Sequence, residues 1–351
     1  MQKSGRCARV VDMKALVRYG TGEDDVRLDE VPEPSPAPDE VKIEVRAAGV
    51  CGTDLHGHPG LRPPVVLGHE LAGVVVEIGR DCKTRKVGER VTSETTKSVC
   101  GACRFCREGP VSLCVRRTGM ASSADGCFAR YVTILESSTH VLPEHVSFEA
   151  GALTEPLACA THAVMEQAKV ERGEFALVVG PGPLGLLVVR CAVACGARVV
   201  AAGTAGDAER LALAQRFGAE RTVNVDDEDL AGVVRSMTDG YGADVVFECS
   251  GAAGAVAGAL ACARKCGRYV QAGILHRAVP LDFDDVFFVR ELTLIGSHTS
   301  HPGSWAAAMK LLADRAVELD PLVSARLPLA EWREAFRLAR GRQAIKVILR
   351  P

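Results

Sequence analysis

The second half of the sequence alternates continuously apolar segments with helix-like segments, and this alternation constrains the fold more than any other feature. It is typical of a doubly wound parallel sheet, because strands that helices cover on both faces carry apolar residues at every position. Six such strands suit a Rossmann dinucleotide-binding fold. The predicted strands are 175–179, 198–202, 222–225, 244–249, 268–272 and 292–295, and the predicted helices are 157–169, 184–195, 207–217, 229–238 and 253–266.

The first half has a different texture. Residues 13–140 are rich in short Val/Ile segments that Gly, Pro and Asp interrupt, which indicates a β-rich domain. The Pro-rich stretch 31–40 is typical of an extended connector. Because 351 residues exceed what one core usually serves, we expect two domains, with a catalytic domain over 13–160 and 298–351, a dinucleotide-binding domain over 161–297, and an extension over 1–12.

Charge and cysteine content exclude several classes of protein. The net charge of −2 gives no electrostatic basis for binding nucleic acid or an anionic membrane. No apolar run approaches the roughly 18 residues of a membrane span, and the N-terminal residues lack the apolar core of a secretory signal. Four of the fourteen cysteines crowd into 100–114, which is typical of a cytoplasmic protein with a metal cluster.

Gly180, Gly182 and Gly185 form a G-x-G-x-x-G pattern directly after the first apolar strand, with Pro183 and Leu184 between the last two. One glycine permits a tight turn, one lets the backbone approach a pyrophosphate, and one lets helix and strand pack closely. An ordinary strand-to-helix turn is the alternative. The next strand ends in Gly203 and Thr204 with no carboxylate for a ribose, and Arg210 follows, so the pattern leans slightly towards NADP over NAD.

The cysteine array has the spacing C-x2-C-x2-C-x7-C. Four thiolates in one short loop close a tetrahedral zinc site with no open position, which predicts a structural metal. An iron–sulfur cluster would favour a shorter last gap followed by proline, and a nucleic-acid zinc ribbon would favour basic and aromatic neighbours. The residues are Cys100, Cys103, Cys106 and Cys114.

A second set of metal-ligating residue types is spread along the chain. Catalytic zinc takes about three mixed sulfur, nitrogen and oxygen ligands and keeps one open position. Cys51 and His69 supply a thiolate and an imidazole, and the acid is either Glu70 or Glu155. Taken singly, each residue has an ordinary structural alternative. His58 is expected to be a solvent-facing loop residue.

These motifs, in this order, resemble the zinc-containing medium-chain dehydrogenase/reductase superfamily, and TEPLACATHAV and GHE resemble its polyol (sorbitol/iditol) and threonine dehydrogenase branch. The resemblance covers residues 13–351 and includes MKALV, CGTDLH, GHELAG, VGERV, VVGPGPLGLL and AIKVIL. It implies a GroES-like catalytic domain. It also implies zinc ligation by Cys51, His69 and one acid, with Asp54 orienting His69.

The same resemblance implies a path for the proton and the contacts of the cofactor. Thr53 would take the proton of the substrate hydroxyl, and His56 would pass it towards solvent. Leu184 would pack on the cofactor. The nicotinamide end would be held by 272–274, which is Ala272, Gly273 and Ile274, and by 296–298, which contains Ser297. The twelve residues between His56 and His69 predict a shorter lid than polyol and threonine enzymes have.

The sequence therefore predicts a cytoplasmic enzyme that transfers hydride between a secondary alcohol, such as a polyol, sugar alcohol or amino alcohol, and NAD(P) to give the ketone. One alternative is a zinc-free quinone or enone reductase, and another is a catalytically idle binding protein on the same scaffold. A homotetramer or homodimer is expected by analogy.

Overall fold

The computed structural model describes residues 11–57 and 60–351. In chain order, its strands are β1 (Asp12–Arg18), β2 (Val26–Pro32), β3 (Glu40–Gly49), β4 (Val65–Val66), β5 (Glu70–Ile78), β6 (Arg90–Ser93), β7 (Thr96–Ser98), β8 (Thr118–Gly119), β9 (Tyr131–Leu135), β10 (Thr139–Val141), β11 (Phe175–Val179), β12 (Arg198–Gly203), β13 (Arg221–Asn224), β14 (Ala243–Glu248), β15 (Ala263–Gln271), β16 (Thr293–Gly296), β17 (Val323–Pro328) and β18 (Lys346–Arg350). Its α-helices are α1 (Gly52–His56), α2 (Arg104–Glu108), α3 (Phe148–Ala152), α4 (Thr154–Thr161), α5 (Pro183–Ala194), α6 (Ala208–Arg216), α7 (Leu230–Ser236), α8 (Ala255–Ala261), α9 (Pro302–Ala313) and α10 (Trp332–Arg340).

The chain divides into two compact units. Of the described residues, the first unit holds 11–57, 60–108, Leu113–Leu153 and Val323–Pro351, and the second holds Gly109–Ser112 and Thr154–Leu322. These boundaries fall before 154 and after 322, whereas the sequence predicted them after 160 and before 298. The physical reason is that α4 packs against α9 and α5, so both segments belong to the second unit.

The first unit is rich in β-strands, as the short Val/Ile segments predicted, and all of its strand pairs are antiparallel except the parallel pair of β17 and β18. A seven-stranded sheet runs in the order β10-β6-β5-β3-β18-β17, with β9 also paired to β3, and a three-stranded sheet has the order β2-β1-β4. The core between these strands contains fully buried aliphatic residues such as Ile43, Leu71 and Ile134. Gly49 at the end of β3 pairs with Glu70 at the start of β5, so the end of β3 and the start of β5 are adjacent in this sheet.

The second unit is a parallel six-stranded sheet in the order β13-β12-β11-β14-β15-β16. This is the strand order of a Rossmann fold, which confirms the fold class. The central strands are buried at almost every position, as is expected for a sheet with helices on both faces.

Three predicted boundaries were wrong in detail. The helix predicted over 253–266 ends at Ala261, because residues from Ala263 onward pair with β14 as β15. The helix predicted over 157–169 begins at Thr154 and continues as a π-helical turn, His162–Gln167. The connector predicted over 31–40 is partly strand, since Pro32 ends β2 and Glu40 begins β3. Among the described residues, no helix has the length and apolarity needed to cross a bilayer.

Candidate active site

Cys51, His69 and Glu70 come together in the first unit. One ligand atom from each lies within 4.8 Å of the other two. Cys51 precedes α1, and His69 precedes β5, where Glu70 is the first strand residue. The sequence predicted Cys51 and His69 together with either Glu70 or Glu155, and the fold places Cys51, His69 and Glu70 in one cluster.

Asp54 ties the two ligand-bearing segments together. Its carboxylate accepts hydrogen bonds from the backbone N–H of Cys51 at 2.9 Å and of Gly68 at 3.2 Å. Its Oδ1 also lies 3.7 Å from Nδ1 of His69, so Nε2 is the ring nitrogen left for a metal. Burial raises the pKa of the Asp54 carboxyl, although the neighbouring imidazole and these N–H groups act in the opposite direction.

Gly68 is required by the turn that presents His69. Its φ is +87°, in the region that side chains disfavour, and a Cβ there would overlap the ring of the fully buried Phe128. The GHE pattern therefore has a structural cause for its glycine as well as a chemical cause for its His and Glu.

Glu70 has a cationic partner that the sequence reasoning missed. Nζ of Lys346 lies 2.5 Å from both carboxylate oxygens, and the two side chains are only 3% and 1% exposed. Among the described residues, no donor is aligned for a hydrogen bond to Oε2. The ammonium contacts both oxygens, but each carboxylate oxygen has two lone pairs, so Oε2 can also accept a metal cation. A thiolate, an imidazole and a carboxylate are donors that zinc accepts. The AIKVIL motif carries the lysine, but 276 positions separate it from Glu70.

The other predicted residues of this site have definite positions. Glu155 belongs to the second unit, in the first turn of α4, where it is buried and accepts a hydrogen bond from Sγ of Cys159 at 3.5 Å. Thr53 is half-buried and His56 is exposed, at the two ends of α1. His58 lies outside the described residues.

The four cysteines at 100–114 also form one cluster. The sulfur atoms of Cys100, Cys103, Cys106 and Cys114 all lie within 4.8 Å of one another. The short sheet β7–β8 closes the loop that carries them. The predicted array therefore folds as a set of four converging thiols, which fits a tetrahedral metal with no open position.

Backbone N–H groups prepare this loop for thiolates. The N–H of Cys103 donates to Sγ of Cys100 at 3.3 Å, and those of Cys100 and Arg116 donate to Sγ of Cys114 at 3.3 and 3.4 Å. Hydrogen bonds from the N–H groups of Ala102 and Cys103 lower the pKa of Cys100 to about 6. Desolvation and neighbouring thiols raise the pKa of Cys106 to about 12. Without a metal, the four thiols cannot all ionise together, which fits a loop completed by a cation.

The glycine loop in the second unit has the geometry that its pattern requires. Gly180 directly follows β11, and its φ is +90°. Gly182 caps α5 and has open space around its α carbon, whereas a Cβ on Gly185 would overlap the carbonyl oxygen of Gly180. Pro183 is the first residue of α5, and Leu184 is half-buried. The three glycines thus serve the turn, the open approach and the close packing that were predicted.

The end of β12 differs from what its sequence suggested. Asp207 is buried, and its Oδ2 accepts hydrogen bonds from N and Oγ1 of Thr204 at 3.0 and 2.8 Å. Arg210 is buried as well, with Nη1 3.6 Å from Oδ1 of Asp207. The arginine therefore also supports the turn through Asp207, and its predicted contact with a 2′-phosphate stays a prediction. Gly203 packs on Pro181 within this turn.

The two segments predicted to hold the nicotinamide follow β15 and β16, at the carboxyl ends of the parallel strands, as the glycine loop does after β11. Ala272 and Gly273 follow β15, with their N–H groups bonded to the carbonyl oxygen of Glu248 at 2.9 and 2.8 Å, and Ile274 is exposed. Ser297 follows β16 and donates its N–H to the carbonyl oxygen of Gln271 at 3.0 Å. Sequence reasoning missed Glu248, although a charged residue at the end of an apolar strand was a usable signal.

Comparisons with known proteins agree with this geometry. The alcohol dehydrogenase GroES-like domain family matches residues 37–144, and the zinc-binding dehydrogenase family matches residues 183–314. The chain is 41% identical to the D-arabitol-phosphate dehydrogenase of Enterococcus avium, over 96% of this chain and 97% of that one. It resembles a zinc-binding dehydrogenase of Sinorhizobium meliloti 1021 bound to NADP, with a TM-score of 0.89, 32% identity and coverage of 97% and 100%. It also resembles the galactitol-1-phosphate dehydrogenase of Escherichia coli, with a TM-score of 0.86, 30% identity and coverage of 97% and 100%. The chain therefore belongs to the zinc-containing medium-chain dehydrogenase/reductase superfamily, as an NAD(P)-linked alcohol dehydrogenase of the polyol and threonine dehydrogenase branch.

Proposed function

We propose that this enzyme oxidises a secondary hydroxyl of a polyol or polyol phosphate to the ketone, with a catalytic zinc held by Cys51, His69 and one acid. The observation that carries the proposal is the cluster of Cys51, His69 and Glu70, whose ligand atoms lie within 4.8 Å of one another. When bound, zinc supplies a positive charge that lowers the pKa of the alcohol hydroxyl, and the dinucleotide supplies the hydride acceptor.

The protein residues of the cluster hold and orient the donors. Asp54, with Oδ1 3.7 Å from Nδ1 of His69, would attract the proton-bearing Nδ1–H, favour that tautomer and leave Nε2 for the metal. Lys346 holds Glu70 in the cluster and compensates its buried charge. Of the two acids, we favour Glu70 as the direct ligand because it lies in the cluster and its Oε2 lacks an aligned donor among the described residues. Glu155 stays the alternative.

Proton transfer falls to α1. Thr53 is half-buried at its start and would accept the proton of the substrate hydroxyl, while exposed His56 at its end would deliver that proton to solvent. This division suits the fold because a strong base beside the metal would compete with the alcohol for the cation.

The glycine loop would bind the pyrophosphate of the dinucleotide, with Gly180, Gly182 and Gly185 at the start of α5. Residues 272–274 and Ser297 would hold the nicotinamide end. A slight preference for NADP over NAD is supported by the end of β12, where Asp207 is turned inward onto Thr204 and leaves no carboxylate for a ribose hydroxyl. The related protein bound to NADP supports the same preference.

The four-cysteine cluster would hold a second zinc ion with a structural role. Four thiolates complete a tetrahedron, so no position stays open for water or substrate. Bound metal would cross-link the loop that runs from β7 to β8.

A phosphorylated polyol is the substrate class that the relatives support best. D-arabitol-phosphate and galactitol-1-phosphate are the named substrates of two similar dehydrogenases.

The test is to measure zinc content and dinucleotide reduction with polyols, polyol phosphates, 3-hydroxy amino acids and 2-alkanols, each with NAD and NADP. Wild-type protein should carry about two zinc ions per chain, and Cys51→Ser should lose one of them together with turnover. Cys82→Ser is the matched control, because this half-exposed thiol donates to the carbonyl oxygen of Glu40 and a serine can keep that bond.

The same measurements separate the alternatives. Full activity of Cys51→Ser would reject the catalytic zinc and favour a zinc-free enone reductase. Tight dinucleotide binding with no turnover of any alcohol or ketone would favour an idle binding protein.

We further propose that the enzyme is a cytoplasmic homodimer or homotetramer. The edge strand β16 leaves one side of the six-stranded sheet without a partner strand in the described chain, and exposed apolar residues lie in the same unit at Phe283, Phe287 and Phe288. Light scattering of wild type and Phe288→Ser tests this proposal, since a monomeric wild type would reject it.

A further inference from the structure

Glu248 ends β14 as a fully buried carboxylate whose hydrogen bonds all come from one edge of the sheet. Oε1 accepts from N and Oγ of Ser250, with the N–H at 2.8 Å. Oε2 accepts from the N–H of Gly251 at 3.2 Å and from Nε2 of Gln271 at 2.7 Å. One side chain thus organises both the loop that follows β14 and the end of β15.

All of these donors are neutral. Within residues 11–57 and 60–351, no Lys, Arg or His pairs with this carboxylate, so only aligned dipoles compensate its burial. A carboxylate accepts on every lone pair and donates nothing, which matches a site lined by N–H and O–H groups. A glutamine of the same shape would turn an NH2 group towards one pair of these donors.

The loops that follow β14 and β15 are in close backbone contact with each other, and the first of them also contacts the glycine loop (180–185). A Cβ on Gly180 would lie 2.6 Å from Cα of Ser250, and one on Gly251 would lie 2.6 Å from the carbonyl oxygen of Ile274. A Cβ on Gly273 would lie 2.8 Å from Oε2 of Glu248 itself. The loops after β11, β14 and β15 therefore pack without spare room, and Glu248 lies between them.

This edge is where open α/β sheets bind their ligands, outside the carboxyl ends of the strands. We propose that Glu248 is a positioning residue. It holds the glycine loop (180–185) and residues 272–274 in the relative positions needed to bind the pyrophosphate and the nicotinamide ribose of the dinucleotide. The proposal rests on the proposed dinucleotide site. It assigns to Glu248 no contact with substrate or cofactor.

Asp244 provides a comparison on the same strand. At the opposite end of β14, it accepts from the N–H of Phe175 at 2.7 Å and from Nε of Arg264 at 2.6 Å, and its side chain is 26% exposed. Asp244 therefore has a cationic partner, and it connects the starts of β11 and β14, at the end of the sheet opposite to the edge where the dinucleotide would bind. Asp244→Asn therefore matches Glu248→Gln in chemistry but not in position.

The experiment measures binding of the reduced dinucleotide, by nicotinamide fluorescence, and of 5′-AMP, by calorimetry, to zinc-loaded protein. Glu248→Gln should weaken the dinucleotide about tenfold, because at least one buried donor pair loses its acceptor and the loops shift. Binding of 5′-AMP should fall much less than that of the dinucleotide, because its adenosine depends on the end of β12 and it has one phosphate and no nicotinamide ribose. Zinc content and kcat at saturating dinucleotide should stay near wild-type values, so the loss appears in KM for the dinucleotide.

Two further variants separate a specific effect on dinucleotide binding from a general loss of stability. Asp244→Asn should leave dinucleotide binding unchanged even if it lowers the melting temperature. Ser250→Ala removes one hydrogen bond to Glu248 and keeps the Cβ contact with Gly180, so a weakening of about threefold is expected if Glu248→Gln does not fold.

Equal dinucleotide binding by wild type and Glu248→Gln would overturn the inference, as would parallel loss of dinucleotide and 5′-AMP. For a Glu248→Gln variant that does not fold, unchanged binding by Ser250→Ala would overturn it. A wild-type protein that binds neither ligand would overturn the proposed function instead.

Discussion

Replacing Lys346 with methionine tests how the buried acid of the candidate zinc cluster is compensated. Lys346 and Glu70 are 3% and 1% exposed, and Nζ is 2.5 Å from both carboxylate oxygens. Methionine keeps most of the side-chain volume and removes the charge. Since the carboxylate then stays buried without its partner, we expect the free energy of unfolding to fall by roughly 3–5 kcal/mol in zinc-free protein.

The loss should be smaller in zinc-loaded protein, because a cation bound beside Glu70 would offset part of the uncompensated charge. Urea unfolding should be followed together with hydrogen exchange of the β18 amides, which reports on the first unit separately. Lys310→Met is the matched control. Lys310 forms an ion pair with Asp314 while 75% exposed, and its loss should change the free energy of unfolding by only about 0–1 kcal/mol.

A double variant tests whether the lost stability comes from the unpaired charge of Glu70. In Lys346→Met with Glu70→Gln, no buried charge stays unpaired, so most of the lost stability should return in zinc-free protein. If Lys346→Met is no less stable than Lys310→Met, or if Glu70→Gln restores nothing, then the buried pair does not compensate Glu70 and the argument fails.

Three further predictions concern other parts of the molecule. Cys103→Ser should lose one zinc ion by metal analysis and lower the melting temperature by about 5 °C or more, with KM for the alcohol unchanged, and an unaltered melting temperature would contradict a structural metal. Thr204→Asp should lower kcat/KM for NADP about tenfold relative to NAD, because a carboxylate would face the 2′-phosphate, and an unchanged ratio in parallel assays would place that phosphate elsewhere. Although partial burial opposes the shift, N–H groups of Arg85, Lys83 and Thr84 lower the pKa of Glu136 to about 2 from an ordinary 4.5. Its stabilisation is therefore complete above pH 4.5 and lost as the pH falls towards 2. Glu136→Gln should be about 1 kcal/mol less stable than wild type in urea at pH 7 and equal to it near pH 2, whereas a constant difference would contradict the cause given.

Local patterns predicted the parts of the structure that depend on local chemistry. The parallel sheet of the second unit followed from apolar alternation, and the four-cysteine cluster followed from the spacing of cysteines in one short loop. Strand and helix bounds failed where composition was ambiguous. Residues 253–266 are rich in Ala and Cys, so their periodicity favours a helix, but parallel pairing of Ala263 with Ala243 ends α8 at Ala261.

Partners far apart in sequence could not be predicted in the same way. Lys346 and Glu70 are separated by 276 positions, and only the pairing of β18 with β3 and of β3 with β5 brings their strands side by side. Arg210 shows the reverse problem. Its position after β12 predicted a phosphate contact, which stays a prediction, while the local ion pair that its spacing of three residues from Asp207 allows was missed.

The two buried glutamates show why residue type alone does not predict role. Glu70 is compensated by a lysine, and its Oε2 still lacks an aligned donor among the described residues, so the carboxylate can accept a cation. Glu248 is surrounded by neutral donors that use both of its oxygens, so it has no comparable capacity and can only hold its donors in place. An acid in the first environment is suited to binding a metal, and an acid in the second is suited to fixing loops. The difference lies in the partners, which are 276 positions away in one case and within 23 in the other.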